Sequence, residues 1–197
     1  MIGNLAVFCG SSMGSNHAYK QLVQEFGRLM ALKKIRLVYG GASIGLMKVL
    51  ADSVIDHGGY VMGIMPDLLT RMEIVHQGLH EMHVVGSMHE RKAAIVSVAD
   101  AFVAMPGGFG TLDELSEILA GTQLDMVRKP LAIFNINGFF DDLIHYLDHC
   151  VTEKFLRQEH RDNIIIETDA SRLLEKLETY RPVVVDSKWV DELKNMV

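Results

Sequence analysis

Apolar residues arrive along this chain in two rhythms. Short, mostly apolar runs at 5–9, 35–39, 60–65, 82–85, 101–105 and 130–136, with Arg36 the one Lys, Arg, Asp or Glu among them, alternate with longer stretches whose apolar positions recur every three or four residues. Leu22, Phe26, Leu29 and Met30 make one such stripe, Leu46, Val49, Leu50 and Val54 a second, and Leu112, Leu115, Ile118 and Leu119 a third. The first rhythm predicts buried strands and the second amphipathic helices. A helix over 139–155, a short last strand at 164–166 and a last helix at 170–177 complete the series, while 68–79, interrupted by Gly78, reads as an irregular lobe near the strand ends. Strands alternating with helices predict an α/β fold. The expected form is a doubly wound, Rossmann-like parallel sheet with helices on both faces, a single domain over 1–197.

Punctuation between the runs sharpens this picture. Asn16 is placed to cap the first helix, Gly58-Gly59 to end the second, and Ser87 with Glu90 forms a capping-box pattern that predicts a helix over 88–99. Three strands run into turns of small residues: Gly10-Ser11-Ser12, Gly40-Gly41-Ala42-Ser43-Ile44-Gly45 and Pro106-Gly107-Gly108-Phe109-Gly110-Thr111. In a doubly wound sheet all three lie at the strands' C-terminal edge, where ligands bind. Thr111 reads as the cap of the following helix and Glu114 as its capping-box partner.

Composition narrows the chemistry. The net charge of −6 argues against a nucleic-acid surface, and charges interrupt every apolar run before bilayer length. The opening residues lack a basic leader region, and Cys9 and Cys150 form no Cys-x-x-Cys pair, so a reducing cytoplasm is expected. An anion must then be held by local groups. The turn at 106–111 supplies them, because glycines admit a ligand to the backbone and a helix N-terminus favours negative charge by ~0.3–1 kcal/mol, up to ~2 when partly buried. Gly108-x-Gly110 has Asp113 where a dinucleotide fingerprint needs a third glycine, and no Gly-Lys-Ser/Thr follows any turn. One phosphate therefore fits better than NAD or a triphosphate. Ser11, Ser12, Gly41 and Gly45 are further candidates for phosphate or loop contacts.

Two side chains bring reactivity. Arg91 shares a helical face with Ile95 and Val98, so it is either a structural ion pair, a snorkelling surface cation or an anion-binding group facing inward. Lys92, one position round, reads as solvated. Glu114 stands four residues before Ile118 and can look inward or simply cap. The histidines at 76, 80 and 83, and His145 with His149, lack the register or the Glu of a metal motif, and no metal or cofactor is expected.

Taken together, Tyr39 to Met47, Met88-His89-Glu90-Arg91-Lys92, and Pro106 to Glu114 resemble the motifs of the LONELY GUY (LOG) family, over roughly 5–155 and in order. That family comprises cytokinin riboside 5′-monophosphate phosphoribohydrolases, long labelled "possible lysine decarboxylase". The resemblance implies a homodimeric Rossmann-like enzyme that hydrolyses the N-glycosidic bond of an adenine-type nucleoside 5′-monophosphate to free base and ribose 5-phosphate. Arg91 and Glu114 fall on its catalytic positions, and Glu73, Arg91, Lys92, Gly107, Gly108, Phe109, Gly110, Thr111, Leu112, Asp113 and Glu114 on its substrate contacts. Two positions depart from the pattern, with Ala120 in place of a common threonine and Asp113 in place of a common glutamate. Two rivals share the motifs: a non-catalytic nucleotide or cofactor carrier resembling molybdenum-cofactor carriers, and a pyridoxal-phosphate decarboxylase, for which no persuasive Schiff-base lysine is at hand.

Overall fold

The computed structural model describes residues 2–71 and 74–183. Glu73 lies outside the described residues. Seven strands, β1 (Asn4–Phe8), β2 (Arg36–Tyr39), β3 (Val61–Pro66), β4 (Glu81–Val85), β5 (Ala101–Ala104), β6 (Leu131–Phe134) and β7 (Ile164–Glu167), form one sheet in the order β4-β3-β2-β1-β5-β6-β7. Every pairing is parallel. The helices are α1 (His17–Leu32), α2 (Gly45–Asp56), α3 (Asp67–Thr70), α4 (Met88–Val98), α5 (Phe109–Gln123), α6 (Asp141–Thr152), α7 (Gln158–Asp162) and α8 (Ala170–Glu178).

The two-residue period of the strands divides the core. Leu5, Val7, Leu37, Tyr39, Val103 and Phe134 pack on one face with Phe26 and Met30 of α1, Leu50 and Val54 of α2, and Leu173 and Leu174 of α8. Ala6, Phe8, Val38, Phe102 and Ile133 look the other way, onto Ile95 of α4 and Leu115 and Ile118 of α5. A sheet covered on both faces must have apolar residues at consecutive positions, which is why the strand runs lack alternation. Chain order reverses between β1 and β5, so their adjacent C-terminal ends open the crevice that the topology reserves for a ligand.

Several boundaries differ from the sequence reading. The helix expected over 139–155 is shortened to α6, because Asn137 and Gly138 adopt positive φ and complete a 3-10 turn at Ile136–Gly138 first. The irregular lobe contains the single-turn α3 and an antiparallel bridge between Ala42 and Val75. The five-residue α7 carries too few apolar positions to register as a periodic stretch. Asn16 caps α1 as expected, its side chain accepting the Ala18 N–H at 2.9 Å. Ser87 caps α4 through the Glu90 N–H at 3.1 Å, although the Glu90 carboxylate takes the Gly86 N–H at 2.9 Å where a capping box would take that of Ser87. Among the described residues no helix is long and apolar enough to cross a membrane.

Candidate functional site

At the switch point the β1 and β5 loops touch through their backbones. The Gly10 N–H donates to the Pro106 carbonyl at 3.0 Å, and a Cβ on Gly10 would lie 3.2 Å from the Gly107 Cα. A Cβ on Gly107 would collide with Thr111 Oγ1 at 2.1 Å. These two glycines are demanded by packing. Gly108 and Gly110 are different: a Cβ on either would meet nothing within 4 Å, so the missing side chains leave open space beside the start of α5.

That start lies earlier than the sequence suggested. Gly108 is the N-cap, offers no side chain to bond, and Thr111 is a buried residue inside the first turn. Thr111 and Glu114 therefore form no capping box. Among the described residues no hydrogen bond takes the N–H groups of Phe109, Gly110 or Thr111, so three donors and the positive end of a fifteen-residue helix face the open space.

Freed from capping, Glu114 turns inward. Its Oε1 lies 2.8 Å from Nη1 of Arg91, and the two side chains are 10% and 11% exposed. The N–H direction leaves Oε1 without an aligned hydrogen bond, so this buried oxygen keeps acceptor capacity beside its cation. Burial raises the Glu114 proton affinity, and Arg91 pulls it back down without cancelling the rise. Arg91 reaches this position from α4 with its Nε–H donating to the Ile64 carbonyl within β3, 3.1 Å away. Its Nη2 lies against Gly40, where a Cβ would come within 2.5 Å. Arg91 therefore faces inward as one member of an ion pair, and its anionic partner is Glu114.

Lys92 is not solvated as expected. It bridges Asp113 at 3.2 Å and Glu117 at 2.6 Å, and the Glu117 carboxylate above all lifts its proton affinity. Glu117 is a residue the sequence reading missed, although its place one helical turn beyond Glu114 puts it on the same seam. Cys9 lies at the end of β1, its thiol pushed up by burial and then by the charge of Glu114, so it stays protonated.

The other two turns are packed against each other and against the sheet. Leu46 and Met47 at the start of α2 donate their N–H groups to the Gly10 carbonyl at 3.0 and 3.4 Å. Gly45 has φ of +54°, and a Cβ there would lie 2.2 Å from the Ser11 carbonyl carbon. Gly41, with φ of +78°, backs onto Met82. Ser11 and Ser12 are exposed on the loop between. Phe109, 93% exposed, and Leu112 and Asp113 look outward from α5. Among the described residues no three His, Cys, Asp or Glu side chains converge as metal ligands would.

Comparison with known proteins bears directly on this arrangement. A family model described as "Possible lysine decarboxylase" matches residues 47–177. A probable cytokinin riboside 5′-monophosphate phosphoribohydrolase of Oryza sativa subsp. japonica is 42% identical over 179 residues, 91% of this chain and 79% of its own. A cytokinin riboside 5′-monophosphate phosphoribohydrolase of Rhodococcoides fascians is 41% identical over 167 residues, 84% of each chain. Among solved structures, the molybdenum cofactor binding protein from the phototrophic bacterium Rippkaea orientalis superposes with a TM-score of 0.69 over 91% of this chain and 97% of that one. At 19% identity that likeness concerns the fold alone. With the family match spanning α4, the turn at 106–111 and α5, the chain belongs to the family described as possible lysine decarboxylases, in which the cytokinin riboside 5′-monophosphate phosphoribohydrolases stand.

Proposed function

We propose that this protein hydrolyses the N-glycosidic bond of adenine-type, cytokinin riboside 5′-monophosphates. Water adds its oxygen to the anomeric carbon as the bond to the base nitrogen breaks, the base leaves with a proton, and ribose 5-phosphate remains. The observation that carries this reading is the buried Arg91 and Glu114 pair beside the open N-terminus of α5.

Each group has a task in such a reaction. The 5′-phosphate sits on the N–H groups of Phe109, Gly110 and Thr111, where the helix dipole favours it and the ribose is held in one orientation. Glu114 faces the anomeric carbon. Its carboxylate stabilises the positive charge that develops on the sugar and accepts a proton from water, a role that its raised proton affinity suits. Arg91 steadies that carboxylate in the resting site and is at hand for the phosphate, the ribose or the departing base. Glu73, Lys92, Gly107, Gly108, Leu112 and Asp113 complete the proposed substrate contacts, and the reaction needs no cofactor.

The protein is further proposed to work as a cytoplasmic homodimer. The apolar face of α2 is closed inside the protomer, since Leu46, Leu50 and Val54 are buried. Exposed Leu112, Leu124 and Met126, on and just beyond α5, are left to cover one another's counterparts. The carrier reading shares the scaffold and the glycine turns, but gives a buried carboxylate and guanidinium pair no work to do.

The test is chromatography of AMP and isopentenyladenosine monophosphate after incubation with wild-type protein and Glu114→Gln. Release of base and ribose 5-phosphate by the wild type alone supports the hydrolase, and the ratio between the two substrates reports base preference. Binding of both nucleotides without cleavage would move the assignment to a carrier.

A further inference from the structure

His76 belongs to the histidine trio set aside as metal ligands, and the structure gives it other work. The ring is 8% exposed and both nitrogens are engaged. Nδ1 accepts the Gly78 N–H at 3.0 Å, which puts the ring proton on Nε2, 2.8 Å from Oδ1 of Asp52. Asp52 stands on α2 and is gripped on its second oxygen by Lys48, one turn earlier, at 2.7 Å. A buried imidazole with two satisfied nitrogens is a rigid strut.

The backbone beside the ring is tied in the opposite direction, toward the site. The His76 N–H donates to the Gly41 carbonyl at 2.9 Å and the Ser43 N–H to the Ile74 carbonyl at 2.7 Å, with Ala42 and Val75 facing each other in the antiparallel bridge. The hydroxyl of buried Tyr39 donates to the Ala42 carbonyl at 3.3 Å and steadies the turn from the strand side. One residue before this turn is Gly40, the backbone against which Nη2 of Arg91 rests.

We infer that His76 is a positioning residue: locked to Asp52, it holds residues 74–76 on the turn at 41–43, and that turn keeps Gly40 at the back of the Arg91 guanidinium. Arg91 is thereby boxed by three groups, the Ile64 carbonyl, the Glu114 carboxylate and the Gly40 backbone. Two of these belong to a strand and a helix. The third belongs to a loop, and a loop keeps its place only through bonds such as those of His76. Small displacements matter here, since misplacing a reacting group by about 1 Å can cost on the order of 100-fold in rate.

The inference rests on the proposed hydrolysis for its kinetic arm, while its physical arm stands apart from any activity. His76→Gln presents an amide N–H where Nε2–H stood and can still reach Asp52. His76→Asn keeps an acceptor for Gly78 but falls short of Asp52, and Asp52→Ala removes the acceptor itself. Expected are a loss of kcat of about tenfold or more in His76→Asn and Asp52→Ala with KM moved less than about threefold, near-normal kcat in His76→Gln, and a double variant no slower than either single one. Amide exchange measured by NMR should rise at Ser43 and at position 76 in the two impaired variants but stay slow in His76→Gln, with or without nucleotide cleavage. Unchanged Ser43 exchange in both impaired variants would overturn the strut. Faster exchange with unchanged kcat would overturn the positioning role. A wild type that cleaves nothing would sink the hydrolase reading instead, and the exchange arm would then decide on the strut alone.

Discussion

Arg91 and Glu114 meet at 2.8 Å across the seam between α4 and α5, each about nine-tenths buried. Neither charge has water to fall back on, so each is the main solvent of the other.

Removing Arg91 should therefore expose the cost of the Glu114 charge. Arg91→Met is expected to destabilise the fold by roughly 3–5 kcal/mol at neutral pH, the usual range for orphaning a buried partner. Burial then raises the Glu114 proton affinity unopposed. A folded state that holds a proton more tightly than the unfolded chain gains stability as pH falls, so the deficit against wild type should shrink on acidification. Urea unfolding of both proteins at pH 7.5 and pH 5 measures it, and a deficit that grows in acid would contradict the pairing.

Glu114→Gln keeps the shape of the side chain and removes its charge. The expected loss in kcat is on the order of 10² to 10⁴, the span of general acid and base contributions. Binding should survive, because the phosphate is held by α5. AMP at about 100 times its Kd should stabilise the variant by ~2.7 kcal/mol, and adenosine, lacking the phosphate, should give far less. Thermal shift with the two ligands separates the outcomes.

Adjacent glycines should answer differently to one added methyl. In Gly107→Ala the Cβ meets Thr111 Oγ1 at 2.1 Å and the Gly10 nitrogen at 2.9 Å, so the β1 and β5 loops must part and stability should fall by about 2 kcal/mol or more. Gly108→Ala meets nothing within 4 Å and should fold normally. Its methyl enters the space assigned to phosphate, so KM should rise. Equal stability losses in the two variants would contradict this division.

Far from the site, Glu167 fastens α8 to the end of β7. It accepts from Lys176 at 2.9 Å and from the Thr168 N–H at 2.9 Å, and its acidity is strengthened to a pKa of about 2, chiefly by Lys176. A carboxylate with a lowered folded pKa contributes stability above its unfolded value, near 4.5, and loses it as pH falls toward 2. Glu167→Gln should cost roughly 1.5–3 kcal/mol at pH 7, with the difference fading toward pH 2. Denaturant melts across that window test the slope.

Most of the fold was legible because the strands inside the sheet are buried on both faces and the long helices present one side to it. Those conditions write themselves into adjacent residues. The inward turn of Arg91 was half legible, since its face carries Ile95 and Val98, but its partner could not be read because α4 and α5 meet only in three dimensions. Thr111 misled for a local reason: a threonine three residues before a glutamate imitates a capping box, and only the backbone at Gly108 reveals that the helix has already begun. His76 was opaque because its partners, Asp52 and Gly41, lie 24 and 35 positions away. Lys92 was misjudged because the two carboxylates that claim it belong to a neighbouring helix.

Of the helices that begin at the C-terminal edge of the sheet, those after β1, β2 and β4 have their first turns stoppered. Asn16 closes α1, the Gly10 carbonyl closes α2, and Ser87 closes α4. Beside these three, the mouth of α5 at the switch point is left without a partner among the described residues. On the proposed function this amounts to a valence of one. A monophosphate fills it, whereas the further phosphates of a di- or triphosphate would carry their charge onto plugged termini and toward the carboxylates of Asp113 and Glu117. The protein would then sort nucleotides by how many phosphates they bear before it meets the base at all.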